Sequence, residues 1–130
     1  MSLLRRGALT ASVGLLLACS GTTAPVAGTL KVNLTNPNNG VDGAVLLVLS
    51  APVPPVSVNA GSGLTLWGGP ITSANATLVL TGNVTTGTIL TLQVDDINKV
   101  RQYTVTLQQV AQTSGYQLES LAGYSVTVTK

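Results

Sequence analysis

The sequence predicts an all-β domain, an antiparallel two-sheet sandwich of about seven or eight strands, immunoglobulin-like or of jelly-roll type. Three observations carry this. Apolar and polar residues alternate with a period of two through most of the chain, which places every second side chain on one face of a strand. The alternating segments are short, recur about every 10–15 residues and are separated by Gly, Pro and Asn turn signals. Beyond the N-terminal segment, no window of about a dozen residues keeps a 3.6-residue period. Strands without helices between them cannot easily make parallel crossovers, so the sheets are expected to be antiparallel. A small closed barrel is the alternative way to bury such strands.

Each element follows from its own pattern. Leu30, Val32 and Leu34 alternate with Lys31, Asn33 and Thr35, a half-buried strand. Asn36-Pro37-Asn38-Asn39-Gly40 is a dense turn signal. Ala44 to Leu49 (AVLLVL) is a continuous apolar run, as expected for a strand covered on both sides or central in a sandwich. Pro52, Pro54 and Pro55 break it, and Val56 and Val58 resume as a short piece at a sheet edge, where a missing donor is tolerated. Leu64-Thr65-Leu66-Trp67 is another short strand, ended by Gly68-Gly69-Pro70. Ala76, Leu78 and Leu80 alternate with Thr77, Val79 and Thr81 before a turn at Gly82-Asn83. Leu90, Leu92 and Val94 alternate with Ile89, Thr91 and Gln93. Asp95 to Lys99 reads as a turn or a single helical turn capped by an Asp. Tyr103, Val105 and Leu107 alternate with Thr104, Thr106 and Gln108, and Tyr124, Val126 and Val128 with Ser125, Thr127 and Thr129.

The first residues obey a different logic. Arg5 and Arg6 precede Gly7 to Ala18, an apolar run of twelve residues without a charge. That is the length of a secretory h-region and falls short of the roughly 20 apolar residues that span a bilayer. The run ends in Leu16-Leu17-Ala18-Cys19-Ser20, which contains the single cysteine of the chain. This resembles a bacterial lipoprotein signal with its lipobox. The resemblance implies cleavage before Cys19, a diacylglycerol on its thiol and commonly an acyl chain on the new amine. It divides the chain into a signal peptide at 1–18, a lipidated Cys and short flexible tether at 19–28, and a sandwich domain at 29–130. Stable attachment needs about two lipid chains, which this modification supplies without help from the domain. The Arg5-Arg6 pair resembles that of a twin-arginine signal, but the remainder of that pattern is poor, so ordinary unfolded export is expected. Ser20 after the cysteine resembles the outer-membrane sorting choice of cells with two membranes.

Composition then excludes several classes. The formal charge of +2 includes Arg5 and Arg6. After removal of 1–18, Lys31, Lys99, Arg101 and Lys130 balance Asp42, Asp95, Asp96 and Glu119. No basic patch remains to attract phosphate backbones, so nucleic-acid binding has no electrostatic support. The domain also lacks the polybasic cluster that reads anionic lipid. With Cys19 acylated, no disulfide is possible and burial alone must hold the fold.

A second resemblance covers much of the domain. An apolar strand running into prolines (Ala44 to Val56), then GTILTLQV (Gly87 to Val94) and YTVTLQQV (Tyr103 to Val110), is similar to the cohesin-like sandwich domains of bacterial surface proteins. It implies a binding function and carries no residue roles with it.

Candidate chemistry is sparse. Without His or a free Cys, the usual nucleophile–base pairs cannot be assembled, and no G-x-S-x-G elbow is present. The four carboxylates that could serve a glycosidase, Asp42, Asp95, Asp96 and Glu119, all fall in expected turns. Asn38 to Gly43 and the trio Asp95, Asp96 and Asn98 hint at calcium loops but lack the closing Glu, so no metal and no cofactor are expected. Trp67 is the one candidate ligand contact, a sugar-stacking platform if exposed and otherwise a core or sheet-edge anchor. The expected function is a lipid-anchored, non-enzymatic sandwich of the cell envelope that binds a protein or glycan partner or is structural. An accessory metal-binding or hydrolytic lipoprotein is the alternative.

Overall fold

In a computed structural model, residues 23–68 and 71–130 are described. The signal-like segment and Cys19 lie outside them. Eight strands form: β1 (Gly28–Thr35), β2 (Asp42–Ser50), β3 (Ser57–Ala60), β4 (Leu64–Trp67), β5 (Asn75–Gly82), β6 (Gly87–Val94), β7 (Thr104–Gln112) and β8 (Ser125–Thr129). Among the described residues, the one helical piece is a 3₁₀ segment, Ile97–Gln102, capped by Asp96.

The strands make two four-stranded sheets, ordered β3-β6-β1-β8 and β4-β5-β2-β7, with every pairing antiparallel. The chain changes sheet at every connection but one, β4 to β5. Pairing is nested: β1 with β8, β2 with β7, β3 with β6, β4 with β5. An antiparallel ribbon folded on itself and wrapped into two layers gives this pattern, which is the winding of a jelly roll. Short, Pro-flanked β3 and four-residue β4 lie at edges, where few backbone groups are left unpaired.

The inward faces interdigitate as a single core. Leu30, Val32 and Leu34 of β1 and Leu90 and Leu92 of β6 meet Val45, Leu47 and Leu49 of β2 and Leu78 and Leu80 of β5. Strict alternation places Ile89 opposite Leu90, facing out. Instead Ile89 is 1% exposed. The β1–β6 register slips between Val32 and Asn33, leaving Ile89 as an extra residue that the bulge turns into the core. A second slip, between Leu46 and Leu47, leaves Gln108 unpaired on β7. It resets the phase so that Val110 faces inward after Val105. The AVLLVL run is central in its sheet, but its other face is not covered: Ala44, Leu46 and Val48 are half-buried on the outside.

Asp96 ties the chain leading into β1. Its Oδ1 accepts from the amides of Asn98 at 3.0 Å and Val26 at 3.2 Å, and the Ile97 amide donates to the Val26 carbonyl at 2.8 Å. These bonds hold the Asp96 carboxyl below its usual range, the Val26 bond contributing most.

Candidate functional site

The two outer faces of the sandwich differ in chemistry. On β3-β6-β1-β8 the outward side chains form a polar mesh. Asn33 Nδ2 donates to Thr129 Oγ1 at 3.0 Å, Thr88 Oγ1 donates to Asn33 Oδ1 at 2.8 Å, and Gln93 Nε2 donates to Thr29 Oγ1 at 2.8 Å. Hydroxyls and amides thus solubilise this face with almost no charge.

The outer face of β4-β5-β2-β7 is apolar along its middle. Register aligns Trp67, Val79, Leu46 and Gln109 in one row across the four strands, and Thr65, Thr81, Ala44 and Ala111 in the next. Trp67 sits on the edge strand and is 56% exposed. Its Nε1 donates to Thr81 Oγ1 at 2.7 Å, so the indole is held against the sheet with its polar atom already used. Leu118, 65% exposed, bridges in antiparallel fashion to Ala111 and extends the surface past β7. A shallow depression of about 190 Å³ lies between Ala44, Leu46, Val79, Gln109, Ala111 and Leu118. None of these side chains is charged.

A polar cluster occupies the end of the sandwich reached by the β1–β2 turn. Asp42 is not in a turn as expected. It opens β2, is 1% exposed and faces Tyr124, the residue before β8. Tyr124 Oη donates to Asp42 Oδ2 at 2.5 Å and lies 3.0 Å from Glu119 Oε2. Asn38 Nδ2 donates to Tyr124 Oη at 3.0 Å, and Gln112 Nε2 to Glu119 Oε1 at 3.1 Å. Asp42 Oδ1 is buried with no hydrogen-bond partner. Burial, then the neighbouring Glu119 carboxyl, pushes the Asp42 carboxyl above its usual range. The proximity of the Asp42 carboxyl holds Glu119 below its own. Burial and the Asp42 bond push the Tyr124 phenol well up.

The calcium-like segments do not converge on a point. The Asn38 side chain goes to Tyr124, Asn39 Oδ1 accepts from the Thr86 amide, and Asp42 enters the cluster. Asp96 is occupied as a cap. Among the described residues, no group of three or more His, Cys, Asp or Glu side chains gathers. The Asp42–Glu119 pairing had no local signal, since it joins two distant segments through the nested β2–β7 pairing. No family model, curated protein or solved structure matches the chain.

Proposed function

We propose that the chain is a lipid-anchored, non-enzymatic module of the cell envelope that binds a protein partner through the outer face of β4-β5-β2-β7. One observation carries the binding face: this sheet turns Trp67, Val79 and Leu46 outward, with Leu118 of the β7–β8 connection beside them, while the opposite sheet turns out a mesh of hydroxyls and amides. Contiguous exposed apolar surface is costly to leave in water and marks interaction sites. A glycan platform needs polar groups around the aromatic ring, and the row neighbours of Trp67 are Val79 and Leu46, so the face suits a partner's apolar side chains better. The anchor rests on the Arg5 to Cys19 pattern, and the non-enzymatic reading on a chain without His or a second Cys. The cohesin-like patterning, together with the nested jelly-roll pairing, supports a binding module of that kind.

Capture from envelope extract by the full lipidated protein tests this. Val79→Lys places a charge in the middle of the row and is expected to weaken capture by roughly 30-fold or more, the size of a central contact. Asn59→Lys, exposed on β3 of the other sheet, is expected to leave capture intact. Equal capture by both variants refutes the assigned face, and capture that survives protease digestion of the extract identifies a glycan instead.

A further inference from the structure

The end cluster has a hydrogen count that does not balance with both carboxyls ionised. A phenol oxygen carries one hydrogen and two lone pairs. The Tyr124 hydrogen goes to Asp42 Oδ2, at 2.5 Å, and one lone pair takes the Asn38 amide. Glu119 Oε2, at 3.0 Å from the same oxygen, is then left facing a lone pair unless one of the two carboxyls brings its own hydrogen. On the elements packed here the titratable groups are Asp42 from β2, Glu119 from the β7–β8 connection and Tyr124 just before β8. Asn36 and Asn38 of the β1–β2 turn and Gln112 of β7 are neutral. No lysine or arginine contributes to the environment of any of the three. Two carboxylates facing one phenol oxygen, Asp42 buried and Glu119 partly exposed, repel each other without a counter-charge, and a single proton between them relieves that repulsion.

We propose that Asp42 and Glu119 share one proton across Tyr124, and that this proton latches the β7–β8 connection, with Leu118, onto the sandwich. The connection has few other ties. Glu119 N donates to the Val110 carbonyl and Gln112 N to the Gln117 carbonyl, both at 2.9 Å, which together make the Leu118–Ala111 bridge, and Thr113 N donates to the Val41 carbonyl at 2.8 Å. Leu118 stands one residue from the titrating Glu119 and walls the apolar depression on β2, β5 and β7. When the proton leaves, repulsion between the two carboxylates pushes Glu119 away and Leu118 moves with it. The apolar face assigned above to a partner is thereby reshaped as pH rises. That consequence rests on the binding reading, whereas the latch itself does not.

Amide hydrogen exchange of the full chain, corrected for the intrinsic effect of pH on exchange, reads the latch without any partner present. Exchange across 113–124 is expected to rise about tenfold through one deprotonation step, while exchange in β6 stays constant. Asp42→Asn keeps the shape, supplies a permanent hydrogen and is expected to stay closed with the step abolished. Tyr124→Phe removes the bridge and is expected to leave 113–124 open at every pH. A step that persists unchanged in Asp42→Asn overturns the proposal. So does closure of the wild-type chain at high pH by millimolar calcium chloride, which would make the pair a cation site. Loss of partner capture with an intact step would sink the binding face and leave the latch standing.

Discussion

Leu92 and Thr91 are neighbours in β6 with opposite fates, and together they test the register of the sandwich. Leu92 is fully buried and sits in the middle of its sheet, between Leu30 of β1 and Val58 of β3. Truncating such a leucine to alanine costs about 3–4 kcal/mol through lost transfer energy and a residual cavity. Leu92→Asp adds the burial of an unpaired charge, worth several kcal/mol more. The total reaches the bottom of the usual range of domain stability, about 5–15 kcal/mol, so Leu92→Asp is expected to leave the domain largely unfolded. Thr91 faces outward, directly opposite Lys31. Thr91→Asp loses up to about 1 kcal/mol of strand preference, and a cross-strand ion pair with Lys31 returns about 0.2–1 kcal/mol. Urea denaturation followed by circular dichroism separates the cases. With a slope of about 1–3 kcal/mol/M, Leu92→Ala should lower the midpoint by more than about 1 M, and Thr91→Asp by well under that. Similar losses for Thr91→Asp and Leu92→Asp would refute the register, because slipping β6 by one residue exchanges the two faces.

Two further expectations follow from the anchor and the end cluster. Mass spectrometry of membrane-extracted protein should show a chain beginning at an acylated Cys19, and Cys19→Ala should release or misprocess it; soluble protein with Met1 intact would sink the anchor. Melting temperature plotted against pH should pass through a maximum in mild acid. Asp42, raised from 3.8, contributes stability that is full below that value and lost as pH climbs through its folded pKa. Glu119, depressed from 4.5, and Asp96, depressed from 3.8, contribute stability present above those values and lost as pH falls through their folded ones. Asp42→Asn should flatten the alkaline limb alone, and a wild-type curve that rises steadily from acid to neutral pH contradicts the assignment.

All eight strands were legible because their signals are local. Period-two alternation needs only adjacent residues, and the Pro52-Val53-Pro54-Pro55 and Gly68-Gly69-Pro70 breaks mark ends that no tertiary contact overrides. What escaped was non-local. The inward turn of Ile89 depends on a bulge against β1, which pairing creates and sequence does not announce. For AVLLVL the sequence left open a strand covered on both sides or one central in a sandwich; the second holds, and composition could not choose because an exposed apolar face has the same composition as a covered one. Asp42 looked like a turn residue because Asn38 to Gly43 is rich in turn formers, and its partner Glu119 arrives only once β7 has folded beside β2. Trp67 could not be placed from one aromatic in a short strand, and its edge position follows from the pairing of β4 with β5 alone.

Gly28, where the chain enters β1, and the Asp42–Tyr124–Glu119 cluster sit at opposite ends of the domain, and under the proposed Cys19 anchor that separation decides which pH the latch reads. β1 starts at Gly28, on the side of Val26 and Asp96, and ends at Thr35, next to the turn that carries Asn38. Eight strand residues at about 3.3 Å each put the cluster about 26 Å from the point where the tether enters. An anionic membrane attracts protons to its surface, but that potential decays over a Debye length of about 8–10 Å. With the tether end toward the membrane, the cluster lies more than two such lengths beyond Gly28 and titrates with the bulk solution. The exchange step across 113–124 is therefore expected at the same pH for lipidated protein on neutral vesicles and on vesicles with about 30% anionic lipid. A midpoint displaced upward on the anionic vesicles would show that the sandwich lies on its side against the bilayer, and the upright orientation would have to be given up.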